Sequence, residues 1–402
     1  MRNHPAEARY NFRMPQTFHR DRFTWLAYFA LAFYAYFLNI LGPITPFLKE
    51  ELNLSYTVSS FHFTAFAMGI LLIGFGGHLP IQRMGRWRSL WVGMIGISLS
   101  AVLLLVGLNP VITIGASFLM GLIGSLILAI VPAALADQHG EMRAVALSEA
   151  NVFSSLIASA AALMVGWSAK LTGDWRLALG IVAFTPLFLF LGLGKSASPT
   201  AASAAIEPVQ SNRPLPMLFW VYWVALVLAV SVEFCMIFWS ADYLQNVLGM
   251  LKANAAQSVS LFLAAMIVGR MAGSRLVQRF STRSVVVISI LIAGIGFLLF
   301  WRAENVSLGL SGLFLTGLGV ANLYPLLLSL AIGAADGNTV QASARATLAS
   351  GTAILALPLI LGSFADTVGI RPAFGVVLIL LISVFLISQI ARRIFSADKS
   401  IL

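Results

Sequence analysis

Long apolar runs alternate with short polar breaks along nearly the whole chain, and most runs are near the ~20 residues a helix needs to cross a bilayer. Twelve segments can be drawn: 23–43, 57–78, 89–107, 111–133, 145–169 and 175–193, then 217–243, 255–277, 284–301, 308–332, 343–364 and 371–394. Between the sixth and seventh, residues 195–216 are rich in Ala, Ser and Pro and read as a linker. A polar tail, 1–22, precedes the first segment, and a short one, 395–402, follows the last. The polar stretch Ile81-Gln82-Arg83-Met84-Gly85-Arg86-Trp87-Arg88 has an echo 196 residues later in Val277-Gln278-Arg279-Phe280-Ser281-Thr282-Arg283. The same offset carries Phe118–Leu122 onto Phe314–Leu318, and Gly166, Ala169 and Gly173 onto Gly362, Ala365 and Gly369. Three matches at one spacing mean a half written twice. The predicted fold is therefore an all-α integral membrane protein, its twelve transmembrane helices forming two pseudo-symmetric six-helix bundles, 23–194 and 217–394.

Composition agrees. Hydrophobic residues make up 59% of the 402 and charged residues 10%, against about 25% charged in soluble domains, too few to cover a water-exposed surface. The net charge of +10 raises nucleic acid as a partner, but the placement of the charges answers it. With the N-terminus inside, 18 Lys and Arg fall at inner ends and 6 at outer ends, with Arg270 inside a segment. That split predicts a cell-membrane protein, plasma or inner, with both termini cytoplasmic, and excludes nucleic-acid binding. Five arginines before Phe23 and no small-residue cleavage site predict an uncleaved N-terminus. One cysteine, Cys235, and five scattered histidines leave no metal-ligand spacing, so no metal and no cofactor are expected.

Six plus six segments, a central linker and a basic loop after the second and eighth resemble the major facilitator superfamily. That family's loop runs Gly-x-Leu-x-Asp-Arg-x-Gly-Arg-Arg/Lys, and Arg83-x-Gly85-Arg86 matches it, with Gln82 in place of Asp. The second copy has Gln278 and Arg279, with Ser281 in place of Gly. Pro46-x-Leu48 and Glu51-Leu52-x-Leu54-Ser55 are similar to the family's passage from its first to its second helix. Two features depart from proton-coupled and drug-exporting members: Ser117 replaces an Arg four residues before Gly121, and Val165-Gly166-Trp167-Ser168 replaces a Gly-Pro-rich signature. The resemblance implies a cavity lined by helices 1, 4, 7 and 10.

Arginines at inner helix ends can bond the carbonyls of a neighbouring helix and favour its negative dipole end. Arg83, Arg86 and Arg279 are therefore read either as a cytoplasmic latch of one conformational state or as positive-inside anchors. Glu149 and Arg345, also 196 apart, join that candidate latch. Glu233 stands mid-segment, with Asp242 its nearest charged neighbour in the chain. Because an ionised carboxylate at that depth costs ~2.5–3.5 kcal/mol, Glu233 should face a wet interior. It is the candidate proton carrier, the alternative being a structural carboxyl, and Asp242, nearer the helix end, is expected to tolerate Asn better. Tyr36 with Asn39, Ser240 with Glu233, and Asn322 with Ser329 share faces by helical spacing, on helices that the resemblance places around the cavity, and Pro325 frees a carbonyl beside Asn322 and Ser329. Tyr36, Asn39, Ser240, Asn322, Ser329 and His62 are the candidate substrate contacts; each Asn reads equally as a tie between helices, and His62 as a packing residue. Tyr28 and Trp239 suit an interfacial belt. Gly269-x-x-x-Gly273 is a close-packing motif, and Arg270 beside it is free to snorkel.

The expected function is secondary active transport of a small organic solute by alternating access, proton-coupled, as a monomer. The alternatives are a uniporter, a channel, or a receptor that transports nothing. No phosphate-binding loop points to ATP drive, no filter or charged ring to a channel, and no clustered acids or histidines to an enzyme. One intramembrane acid without a placed base argues against strongly anionic substrates. The aromatic first segment suits an amphipathic neutral or cationic solute.

Overall fold

The computed structural model describes residues 18–76, 78–194, 214–335 and 339–398. The predicted linker, apart from its last three residues, and most of the two predicted tails lie outside them. The first half comprises α1 (Arg22–Glu51), α2 (Tyr56–Gly76), α3 (His78–Met84), α4 (Arg86–Val106), α5 (Pro110–His139), α6 (Arg143–Thr172), α7 (Arg176–Ala183) and α8 (Thr185–Leu193). The second comprises α9 (Met217–Leu248), α10 (Lys252–Leu276), α11 (Thr282–Arg302), α12 (Val306–Val320), α13 (Leu323–Gly333), α14 (Thr339–Val368), α15 (Ile370–Ala373) and α16 (Gly375–Asp398). Twelve spans among the described residues are long and apolar enough to cross a bilayer. Helices are what such segments must form, since hydrocarbon offers the backbone no other hydrogen-bond partners.

The repeat is kept to the residue. Tyr56 and Lys252, Arg86 and Thr282, Pro110 and Val306, and Arg143 and Thr339 open equivalent helices, each pair 196 residues apart. One cap is repeated as well. Asn109 Oδ1 accepts from the Ile112 amide at 3.0 Å, and Asn305 Oδ1 from the Leu308 amide at 2.9 Å, satisfying a donor that every helix start leaves open.

Four details differ from the sequence reading. The first helix runs on to Glu51 through Pro43 and Pro46. The polar stretch after α2 holds a short helix, α3, that ends before Gly85 at φ 81°. The sixth crossing is broken into α7 and α8 where Pro186, at the start of α8, cannot donate to the turn before it. The tenth is broken at Ala321–Asn322, four residues ahead of Pro325. The end of the N-terminal tail docks on the first half: Phe18 packs on His139, and Arg20 bonds Glu149.

The face carrying the start of α1 and the end of α16 is here the terminal face, and the opposite one the far face. The halves meet through α1 with α9, α2 with α14, and α6 with α10. Gly166 and Gly362, equivalent by the repeat, let the last two pairs close. A Cβ on Gly166 would lie 2.5 Å from the Ala253 carbonyl oxygen, and one on Gly362 2.9 Å from that of Tyr56. Each glycine thus faces the first turn of a helix from the other half.

This seam gives a direct test. Gly166→Ala must push α6 off α10 and is expected to cost ~1–3 kcal/mol, read as a lower apparent melting temperature of the purified protein. Gly115→Ala, where the added methyl meets open space, serves as the control and should be neutral. Equal behaviour of the two variants would show that the close approach does not hold the halves.

Candidate functional site

At the far face the seam is closed by charge and by aromatic packing. Lys49 Nζ lies 2.6 Å from Asp242 Oδ1, whose side chain is 0% exposed, and 3.5 Å above the Tyr56 ring. Asp242 Oδ2 accepts from Asn246 at 2.9 Å. Lys252 pairs with Glu50 across the same seam. Asp366 on α14 accepts from the amides of Tyr56 and Thr57 at 2.7 and 2.8 Å, capping α2 from the other half. Beneath these ties Phe63 stacks on Phe238 at 4.0 Å between centroids, and Trp239 Nε1 donates to the Pro358 carbonyl at 3.1 Å.

Toward the terminal face the halves part. α2 and α14 stay together as far as Gly74 and Leu348, and α6 and α10 as far as Ser155 and Arg270, forming two side walls. The main neighbours of α5 among the described residues, α1, α2, α4 and α6, all belong to its own half. Two ion pairs of that face, Arg20 with Glu149 and Arg86 with Asp137, lie within the first half. The result is a cleft with an aromatic floor, open at the terminal face.

Glu233 stands about midway along α9, one turn below that floor, with its side chain 16% exposed. Arg270 on α10 reaches it, Nη2 to Oε1 at 3.9 Å, and is itself 41% exposed. The guanidinium is spread over both halves. Nη1 donates to Ser155 Oγ on α6 at 3.1 Å, and Nε points at the Ala321 carbonyl at 3.5 Å, the carbonyl that Pro325 leaves without its helical donor. Gly269 and Gly273 make this possible by letting the α12–α13 break come close: a Cβ on Gly269 would meet the Leu318 carbonyl, and one on Gly273 the Asn322 side chain. Tyr324 stands within electrostatic range of Glu233, beside Ser350.

Arg270 therefore does not snorkel. It is the intramembrane base that the sequence left unplaced, and the ground for disfavouring anionic substrates goes with it. The repeat held a signal for this residue, since the equivalent position in the first half is Gly74. Asp242 is not the dispensable acid of its helix either, being the buried half of an inter-half pair. Lys49, Asp366 and Lys252 also entered no sequence-based site, because only the packing shows that helix ends distant in the chain meet.

Most candidate substrate contacts have partners inside the bundles. Tyr36 donates to the Ala178 carbonyl at 2.7 Å, and Asn39 to that of Ala35 on its own helix at 2.8 Å. His62 lies between Thr113 Oγ1 at 2.8 Å and the Ser59 carbonyl at 3.1 Å, tying α2 to α5. Asn322 donates to the Gly269 carbonyl at 2.9 Å, and Ser240 is fully buried on α9. Ser329 is exposed on α13. Tyr28 and Trp239 are buried rather than interfacial, Tyr28 donating to Glu149 at 3.1 Å. Of the latch candidates, Arg83 and Arg279 are exposed at the terminal face, Arg86 holds Asp137, and Glu149 is taken by Arg20 instead of Arg345, which is exposed.

The family model described as Major Facilitator Superfamily matches residues 27–279 and 255–399. An uncharacterized MFS-type transporter of Yersinia pestis is 25% identical over 369 residues, covering 87% of this chain and 92% of its own. An uncharacterized transporter of Sinorhizobium fredii is 32% identical over 139 residues, 35% of this chain and 37% of its own. Among solved structures, a bacterial homolog of the human lysosomal transporter Spinster, in an inward-facing and occupied conformation, matches with a TM-score of 0.80 at 15% identity, covering 94% of this chain and 99% of its own. The nucleoside transporter NupG matches at 0.70 and 12% identity, over 93% and 98%.

The far-face pair is testable by accessibility. Removing one partner of a buried pair leaves an uncompensated charge, at a cost on the order of 3–5 kcal/mol, reduced here because Lys49 is partly exposed. In a Cys235→Ala background with Ser240→Cys placed under the seam, Asp242→Asn should speed maleimide labelling of that cysteine several-fold. Adding Lys49→Met should partly restore protection. Unchanged labelling in Asp242→Asn would mean that other contacts keep the seam shut.

Proposed function

The chain belongs to the major facilitator superfamily and is a membrane transporter, and from that premise we propose that it moves a small organic solute by proton-coupled alternating access, with Glu233 as the proton carrier. The observation that carries this reading is a mid-membrane carboxyl facing an open cleft, beside a guanidinium that it does not tightly engage. Exposed to one side, Glu233 exchanges its proton with that side. Protonated, it carries no charge of its own into the closed intermediate, where an uncompensated charge would cost ~2.5–3.5 kcal/mol. Each charge moved across the full potential supplies ~2.3 kcal/mol per 100 mV.

With both termini cytoplasmic, as the Lys and Arg placement supports, the cleft opens inward and the seam is the closed outer gate. A channel would need a continuous path, and the Phe63–Phe238 stack lies across it. In the opposite state the far-face ties break and the terminal face closes. Arg83, Arg86 and Arg279, with Glu149 and Arg345, stand where a latch for that state is needed. Uniport is the second reading, favoured if Arg270 keeps Glu233 ionised throughout the cycle.

Glu233→Gln copies the protonated carboxyl. In proteoliposomes the variant should exchange substrate between compartments yet fail to accumulate it on an imposed pH gradient. Gradient-driven accumulation at the wild-type level would remove Glu233 from coupling. For the orientation, a reporter active only outside the cytoplasm, fused after Leu402, should stay silent; a strong signal would invert the topology and make the seam the inner gate.

A further inference from the structure

Arg270 and Glu233 are held near each other without being joined. At 3.9 Å the pair has Coulomb attraction but no hydrogen bond, and Nη1 and Nε are aimed at Ser155 and Ala321. Nη2, the nitrogen nearest Glu233, makes no hydrogen bond among the described residues. The charged or titratable groups facing Glu233 among the described residues are Arg270 on α10 and Tyr324 on α13; Ser155 on α6 and Ser350 on α14 add only hydroxyls. The second Nη1 proton and those of Nη2 form a planar fork on a side chain 41% exposed, and such a fork matches the two oxygens of a carboxylate.

Charge balance narrows the ligand further. The empty site is neutral, one guanidinium offsetting one carboxylate. A cationic solute would leave the site at +1 with Glu233 ionised and at +2 with it protonated. A neutral solute bound while Glu233 is protonated leaves the guanidinium alone, at +1. A monoanion bound to Arg270 while Glu233 takes up one proton from water keeps the site at zero. Empty and loaded forms then both cross the closed intermediate without a bare charge, the condition that a low-dielectric interior imposes.

We propose that the cleft binds a small monocarboxylate, its carboxylate on the Arg270 fork and hydrogen-bonded by a protonated Glu233, so that one acid anion and one proton travel together. This inference rests on the transport reading above and adds the substrate class and the stoichiometry. No bond is made or broken beyond the proton moving from solvent to Glu233 on loading and back on release. Ser155, which accepts from Arg270 Nη1 while donating to the Asn151 carbonyl, ties the guanidinium to α6 of the opposite half.

The test is a binding experiment on the full chain in detergent. Acetate, lactate, pyruvate and benzoate are set against lactamide, benzamide and choline in a thermal-shift assay, where a ligand of the folded state raises the apparent melting temperature. At least one acid should raise it at millimolar concentration while the amides and choline do not. Arg270→Gln should lose the shift or weaken apparent affinity about tenfold or more. Arg270→Lys keeps the charge and the neutral pair but not the fork, and should also weaken it, so the outcome survives a Gln variant that fails to fold. An amide matching its acid, an acid shift unchanged in both Arg270 variants, or silence of every acid overturns the inference. Proton uptake is read separately in weak buffer. Wild type should take up about one proton per acid bound, and Glu233→Gln should bind the acid without uptake. Arg270-dependent acid binding with no proton uptake by wild type would keep the substrate class and defeat the coupling. A pH gradient that drives a neutral or cationic solute through Glu233 would do the reverse.

Discussion

The far-face seam is the contact on which the rest of the structure depends, because it closes one end of the space between the halves and so creates a cleft at the other. Its construction is mixed in a telling way. The aromatic stack of Phe63 and Phe238 and the glycine approaches at Gly166 and Gly362 bring the helices to backbone contact. The charges of Lys49 with Asp242 and Glu50 with Lys252, and the Asp366 cap on α2, then fix which helix ends meet. A buried ion pair repays little more than its own desolvation, so such ties specify a register without adding much net stability. A seam built only of interlocked apolar side chains would be harder to open. This one can open if water reaches the charges as they part.

How much of this was legible in the chain follows from what each feature depends on. The twelve crossings follow from local apolar length, and the repeat offset from self-comparison alone; the helix starts then fall at that offset without slippage. The break at Asn322 was foreshadowed by Pro325, since a missing amide proton is a local fact. Side-chain partners are not local. Tyr36, His62 and Asn322 share polar faces with the predicted cavity, yet each finds its partner on a neighbouring helix of its own half. Helical spacing says which residues lie on one face, not which neighbour that face meets. Arg270 shows the same limit in reverse: near a helix end it read as free to reach water, and only the arrangement of α9 against α10 turns it toward Glu233.

The two copies are alike where the scaffold is built and unlike where the site is. Asn109 and Asn305 cap equivalent helices, and Gly166 and Gly362 serve equivalent approaches. Glu233 has Phe37 at its equivalent position, Arg270 has Gly74, and Ser155 has Gly351. At the equivalent positions the other half spends the residue on packing instead: Phe37 is fully buried, and Gly351 lies close against Leu71. Departures from the repeat at mid-helix positions are thus a better guide to the site than shared polar faces.

That asymmetry also fixes which contacts move. Glu233 and Arg270 belong to the same half, on helices packed together, so a rocking of one half against the other leaves their separation unchanged. Arg270 and Ser155 belong to different halves and meet on a side wall, so their bond is the one such a motion stretches. The two side chains then stay together throughout the cycle, as a neutral pair in the empty form and, on the reading proposed above, with one anion and one proton in the loaded form. What changes is the wall opposite it, and hence the side from which water and solute reach the pair.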